Sequence, residues 1–218
     1  MEENKKEELL KIENYLSSKE KIKVEDKTFE KLMFIYSVAI KEITTKLEIL
    51  KDEFTTFYNY DLIDHINTRI KKPNSIIKKM KDKNCELTYE QMIENINDIA
   101  GVRVICPLKN DIFTIRNLIE KFPGVKIIKQ KDYVTNPKKS GYSSYHLITE
   151  IPITLSQKIM YVKVEIQIRT MAMDFWASIE HKAKYKAEEE ITKKCSKELV
   201  EYAKIIRKMD NKMMLINK

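Results

Sequence analysis

Glycine, proline and cysteine are all scarce, with three, five and three of them in 218 residues. So few glycines and prolines exclude collagen-like and linker-rich architectures, which depend on both. Cys85, Cys106 and Cys195 are odd in number and too scattered for a zinc knuckle, a redox pair or a disulfide framework, so they read as reduced thiols. Long apolar runs are missing as well. The longest, Leu32 to Ile40, is interrupted by Ser37 and falls far short of the roughly 20 residues that span a bilayer. No membrane partner is expected. Met1 to Glu8 mixes both charge signs and has no apolar stretch of the kind a secretory signal needs, which gives the expectation of a cytoplasmic protein. His65, His146 and His181 have no metal-ligand spacing, so zinc is not expected.

What the chain does hold is burial potential and positive charge. Apolar residues make up 43% and charged residues 34%, too much core material for a disordered chain. The length suits one large domain, or a core with helical extensions, better than three modules. A net charge of +8 suits an anionic partner, whether nucleotide, nucleic acid or membrane surface. Charge alone does not choose among them.

Phe29, Leu32, Met33, Tyr36, Ala39, Ile40, Ile43, Leu47 and Leu50 recur at three- and four-residue steps, predicting one long helix from about Asp26 to Phe57. A shorter helix is expected over Asp61 to Arg69, then a break at Pro73, a helix capped by Asn74, and a Thr88/Gln91 capping box opening another to about Asn95. At Ala100 to Cys106 the chain turns β-branched and reads as a first strand. A helix over Asp111 to Lys121 leads to strands at Val125 to Gln130 and Tyr145 to Ile151. Met160 to Arg169 alternates cleanly, with Val162, Val164, Ile166 and Ile168 on one face and Lys163, Glu165, Gln167 and Arg169 on the other. A helix follows, with Ala172, Phe175, Trp176, Ile179 and Ala183 as its apolar stripe. At the end, Leu199, Tyr202, Ile206, Met209, Met213 and Ile216 form a narrow seam, for packing on the core or for self-association. The expected fold is α/β (α+β), a mixed central sheet of about five strands flanked by helices. The expected regions are 1–58 helical, 59–187 the core, and 188–218 a C-terminal helix and possible oligomerisation element.

Two features could carry chemistry. Glu165 on the alternating strand and Asp98 just before the strand containing Arg103 can stand at the mouth of one sheet, where two carboxylates beside cations suit a magnesium nucleotide. The bland alternative is the wet side of an antiparallel sheet, with Asp98 as a cap. The stretch Lys131 to His146 is basic, turn-rich and interleaved with tyrosines, fit to hold phosphates and stack a base, or simply a solvated loop. Arg69, Lys71, Ser75, Lys78 and Lys79 make a second basic cluster.

Taken together, the motifs carry a resemblance. Thr68-Arg69-Ile70-Lys71 with Ser75 and Lys79, Asp98 to Val104, Lys131-Asp132-Tyr133, Gly141-Tyr142 with Ser144-Tyr145-His146, and Val164 to Thr170 followed by Met173 to Ala177 and Glu180-His181 resemble the synthetase domain of RelA/SpoT-type alarmone enzymes. The resemblance covers about Asn59 to Lys186, with flanking helices similar to those of stand-alone small alarmone synthetases. It implies a nucleotidyltransferase-like synthetase fold and pyrophosphoryl transfer from ATP to the 3′-hydroxyl of GMP, GDP or GTP, with AMP as the other product. On that resemblance, Asp98 and Glu165 match the Mg²⁺ and catalytic carboxylates, and Arg69 and Arg103 match the pair around adenine. Lys71, Ser75, Lys79 and Lys131 match the ATP-phosphate side, Tyr142 the ring stacked on the acceptor guanine, and Lys138, His146, Gln167 and Asp174 its surroundings. Ser143 and Asp82 depart from residues that are basic in some relatives. The seam and the resemblance point to a homo-oligomer, expected to be a tetramer. RNA is a possible but not required partner. The competing readings are a basic RNA-binding or nucleotide-sensing module without catalysis, and another kind of nucleotidyltransferase.

Overall fold

The computed structural model describes residues 21–24, 27–186 and 189–216. The expected boundary at 187/188, the N-terminal region up to residue 20, and the side chains of Cys195 and Ile216 lie outside the described residues. Among the described residues, five strands and six helices follow one another as α1 (Lys27–Tyr58), β1 (His65–Ile70), α2 (Pro73–Asp82), α3 (Tyr89–Asn95), β2 (Ala100–Cys106), α4 (Lys109–Ile119), β3 (Lys126–Asp132), β4 (Tyr145–Leu155), β5 (Lys158–Thr170), α5 (Met171–Lys186) and α6 (Glu189–Ile216). The strands form one sheet in the order β1-β2-β5-β4-β3. The β2/β5 pair is parallel and the other three are antiparallel, so the expected mixed α+β architecture is what the chain adopts.

The sheet has two unlike faces because β5 alternates. Val162, Val164, Ile166 and Ile168 are buried in the main core with the stripe of α1 (Phe29, Leu32, Tyr36, Ala39, Ile40, Ile43, Leu47, Leu50). Lys163, Glu165 and Gln167 stay half-exposed on the other face. Burying each such aliphatic side chain contributes about 1.5–3 kcal/mol, and one helix lying across four strands supplies many of them.

Several expectations needed correction. Residues 65–70 are a strand, not the end of a helix: Leu62, Ile63, Ile66 and Ile70 fit a helical period, but pairing of the segment with β2 decides the matter. Asn74 is not a cap; α2 begins at Pro73 behind Lys72, which offers no side-chain hydrogen bond. Thr88 does cap α3, accepting from the Gln91 backbone N–H at 3.3 Å, but the Gln91 side chain donates to Glu94 instead of closing a box. On α5, Met173 and Trp176 face inward while Phe175 is 65% exposed, so the expected stripe is rotated. On α6, Leu199, Ala203, Ile206 and Asp210 face the body of the protein, and Tyr202 (52% exposed), Met209 and Met213 do not.

The α6 rotation has a steric cause. Gly141, at φ +93°, lies so close to the helix that a Cβ there would stand 2.4 Å from that of Ala203. Only a small residue can occupy that turn of the helix, and only glycine that turn of the loop. The Trp176 indole N–H donates to the Leu199 carbonyl at 2.8 Å and completes the junction.

Asp210 is buried in the same interface and accepts from the Thr170 hydroxyl at 2.9 Å. Burial pushes its carboxyl above the usual range, outweighing the Thr170 hydrogen bond and nearby Lys109. A carboxyl raised in the folded state contributes its full stability below the unfolded-state value and loses it as pH rises through the folded value. Asp210→Asn keeps an oxygen for Thr170 and carries no charge, so it is expected to raise the melting midpoint at neutral pH. Each kcal/mol of relief is worth about 2–4 °C in a chain of this size. The gain should shrink toward pH 4 and below; calorimetry showing an equal or lower midpoint at neutral pH would count against it.

Candidate active site

Strand register, not sequence proximity, assembles the site. Arg69 on β1, Gly101 on β2 and Glu165 on β5 lie in one row across three adjacent strands. Two residues along, Asn67, Arg103, Gln167, His146 and Lys131 form a second row crossing all five. Directly opposed residues share a face, so both rows look out from the half-open side of the sheet. Asp98 sits just ahead of β2, near the first row. It lines a cavity of about 340 Å³ together with Glu165, Gln167, Arg69, Arg103 and Arg169.

Each carboxylate is held by donors. Lys71 and Lys79 both donate to Asp98 Oδ2, at 2.9 and 2.8 Å. Burial raises the Asp98 carboxyl, but the two lysine hydrogen bonds outweigh it and hold it below the usual range. Burial also raises Glu165; donors on both of its oxygens, His146 Nδ1 at 3.2 Å and Gln167 Nε2 at 2.8 Å, bring it below its ordinary value. Both are therefore anions at neutral pH. Asp98 Oδ1 is buried with no hydrogen-bond partner among the described residues. No cluster of three or more His, Cys, Asp or Glu among those residues could hold an ion unaided. Two carboxylates with an orphaned oxygen in a shared cavity fit Mg²⁺, which takes one or two protein carboxylates and completes its shell from water and substrate phosphates.

A second cavity of about 610 Å³ adjoins the first, sharing Arg69, Arg103 and Arg169 and adding Tyr142, Glu180 and His181. Lys138 Nζ stands 5.0 Å from the Tyr142 ring centre and 4.8 Å from that of Tyr133. Asp174 Oδ1 accepts from Arg103 Nη1 at 3.1 Å and from Arg169 Nη1 at 3.0 Å. Burial and the neighbouring Arg169 lower the Arg103 pKa, while Asp174 opposes them.

Of the residues singled out in the sequence, Asp98, Glu165, Arg69, Arg103, Gln167 and Tyr142 line these two cavities. Lys71, Lys79, Lys138, His146 and Asp174 touch those that do. Ser75, exposed in the first turn of α2, and Lys131, exposed on β3, line neither. Ser143 faces α6 alongside Gly141, Trp176 and Ala203, and Asp82 is exposed at the end of α2. In the sequence Arg169 simply continues the polar alternation of β5 and does not stand out as a site residue. In the fold it is 4% exposed and borders both cavities.

The sequence matches the family model described as a region found in RelA / SpoT proteins over residues 68–190. It is 42% identical over 186 residues to GTP pyrophosphokinase YwaC of Bacillus subtilis (strain 168), covering 85% of this chain and 89% of the relative. GTP pyrophosphokinase YjbM of the same organism is 32% identical over 190 residues, covering 87% and 89%. The crystal structure of the small alarmone synthetase 1 from Bacillus subtilis bound to its product pppGpp superposes with a TM-score of 0.80 at 31% identity, over 88% of this chain and 97% of that one.

Proposed function

The chain belongs to the RelA/SpoT family, and from that membership we propose that it is a GTP pyrophosphokinase of the small alarmone synthetase kind. It moves the β,γ-pyrophosphoryl group of ATP to the 3′-hydroxyl of a guanine nucleotide, giving a (p)ppGpp-type alarmone and AMP. The observation that carries this reading is the meeting of Asp98 and Glu165 in one cavity walled by Arg69 and Arg103, with Tyr142 in the adjoining one.

The 3′-oxygen attacks the β-phosphorus in line, the bond from that phosphorus to the oxygen bridging to the α-phosphate breaks, and AMP leaves with the bonding electrons. Glu165 takes the hydroxyl proton; its two hydrogen bonds hold the carboxylate in place for that transfer. Mg²⁺, when bound, neutralises charge on the transferred group, and Asp98 and Glu165 are the residues that would hold it. Lys71 and Lys79, already converging on Asp98, stand ready for phosphate oxygens, with Ser75 and Lys131 as outer donors. Arg69 and Arg103 hold the adenine between planar cations. Tyr142 stacks on the guanine, with Lys138, His146, Gln167 and Asp174 around that nucleotide.

Catalysis is assigned to the 59–187 core, and support of the acceptor loop to the helix in 188–218. No helix among the described residues is long and apolar enough to cross a membrane, and nucleotide substrates support a cytoplasmic location. The outward row of Tyr202, Ile205, Met209 and Met213 on α6 supports a homo-oligomer, assigned as a tetramer, which light scattering tests.

Purified protein with Mg²⁺, ATP and each of GMP, GDP and GTP in turn is expected to release AMP and the matching 3′-pyrophosphorylated nucleotide, read by mass spectrometry. Pyrophosphate release in place of AMP would mean nucleotidyl transfer. No product at all, with RNA affinity that survives loss of both carboxylates, would favour the RNA-binding reading that the net charge of +8 allows.

A further inference from the structure

Arg169 is buried yet charged, and each of its contacts is a hydrogen bond it must donate, since a guanidinium has no acceptor. Nε donates to Ser144 Oγ at 3.3 Å, and Nη1 to Asp174 Oδ1 at 3.0 Å. Nη2 donates to the Tyr142 hydroxyl at 2.6 Å and to Gln167 Oε1 at 2.7 Å. Its guanidinium carbon also stands 5.2 Å from the Tyr142 ring centre.

The last two donations continue downstream as two branches. With its oxygen accepting from Arg169, the Tyr142 hydroxyl has its proton free to point to His146 Nε2, 2.8 Å away. In that arrangement Nε2 accepts and Nδ1 carries a proton, donated to Glu165 Oε1 at 3.2 Å. On the other branch, Gln167 Oε1 is turned to Arg169, so its amide nitrogen faces Glu165 Oε2 and donates at 2.8 Å. Two branches from one nitrogen thus end on the two oxygens of one carboxylate.

We propose that Arg169 is the positioning residue of this active site: by donating to Tyr142 and Gln167 it sets the direction of both hydrogen-bond branches into Glu165. It thereby fixes the tautomer of His146, the amide orientation of Gln167 and the tilt of the Tyr142 ring together. Through Asp174 it also braces Arg103. Its catalytic meaning rests on Glu165 being the base, as set out under the proposed function; the hydrogen-bond directions do not.

The test reads both. Arg169→Lys keeps the charge but cannot supply the planar fork, and Tyr142→Phe cuts one branch without uncovering a buried charge. Nitrogen-15 NMR of the nucleotide-free protein is expected to find His146 as the Nδ1–H tautomer in the wild type, and a mixture in both variants. Turnover with ATP and GDP is expected to fall on the order of 10²-fold in Arg169→Lys and about tenfold or less in Tyr142→Phe, with the KM for ATP within a few-fold of wild type. An Nε2–H tautomer in the wild type, or a tautomer unmoved by either variant, would overturn the proposal. So would near-normal turnover in Arg169→Lys. Should that variant fail to fold, Tyr142→Phe decides alone. If the wild type released no AMP, the reading of Glu165 would fall while the tautomer result still judged Arg169.

Discussion

Glu165→Gln is expected to lower turnover with ATP and GDP by at least about 10²-fold, the range that removal of a general base produces. Shape is nearly conserved, so the loss reports charge and basicity. The carboxylate receives donors on both oxygens, from His146 and Gln167, whereas an amide has one accepting end and one donating end. One of the two hydrogen bonds must therefore be given up as well, at a cost of about 1 kcal/mol. Nucleotide binding measured by calorimetry should persist, because neither Arg69 nor Tyr142 leans on Glu165 directly. Turnover within a few-fold of wild type would remove Glu165 from the mechanism.

Asp98→Asn is expected to cost on the order of 10²–10³-fold in turnover, the scale found when one preorganised electrostatic partner of the transition state is removed. The two lysines make the pattern of loss more telling than its size. In the wild type both bond to Asp98 Oδ2; in the variant they keep their charge and lose that anionic partner. Affinity for ATP without divalent ion should therefore hold or rise, while the gain in affinity that Mg²⁺ brings should vanish. Titration calorimetry with ATP, in chelator and in Mg²⁺, separates the two. An undiminished Mg²⁺ effect would place the metal elsewhere.

The sequence carried most of this architecture, for identifiable reasons. β5 was readable because one face is greasy and the other wet, so its period of two survives in the residue order. The α1 stripe was readable because a helix laid across a whole sheet must bury one side throughout. β1 was not, because an edge strand with four of its six residues polar owes its conformation to its partner, and hydrogen bonds to β2 leave no mark on His65 to Ile70. β4 runs on past the expected end at Ile151 because Pro152 lies beyond the reach of β3, whose pairing stops at Glu150. A residue lacking an N–H is tolerated where a strand has only one neighbour. Among the site residues, Asp98, Arg103, Tyr142 and Glu165 were named from their motifs. Arg169 and the orphaned Asp98 oxygen are properties of packing, which residue order does not display.

Parity along β5 links the greasy interior to the chemistry. A slip of one position against β2 would bring valine and isoleucine to the mouth of the cavity and drive Glu165 and Gln167 into oil. Such a slip would forfeit the burial of Val162, Val164, Ile166 and Ile168 all at once. The aim of the carboxylate is therefore guarded by side chains that never meet a substrate, and the whole apolar face acts as the sight through which the enzyme is pointed.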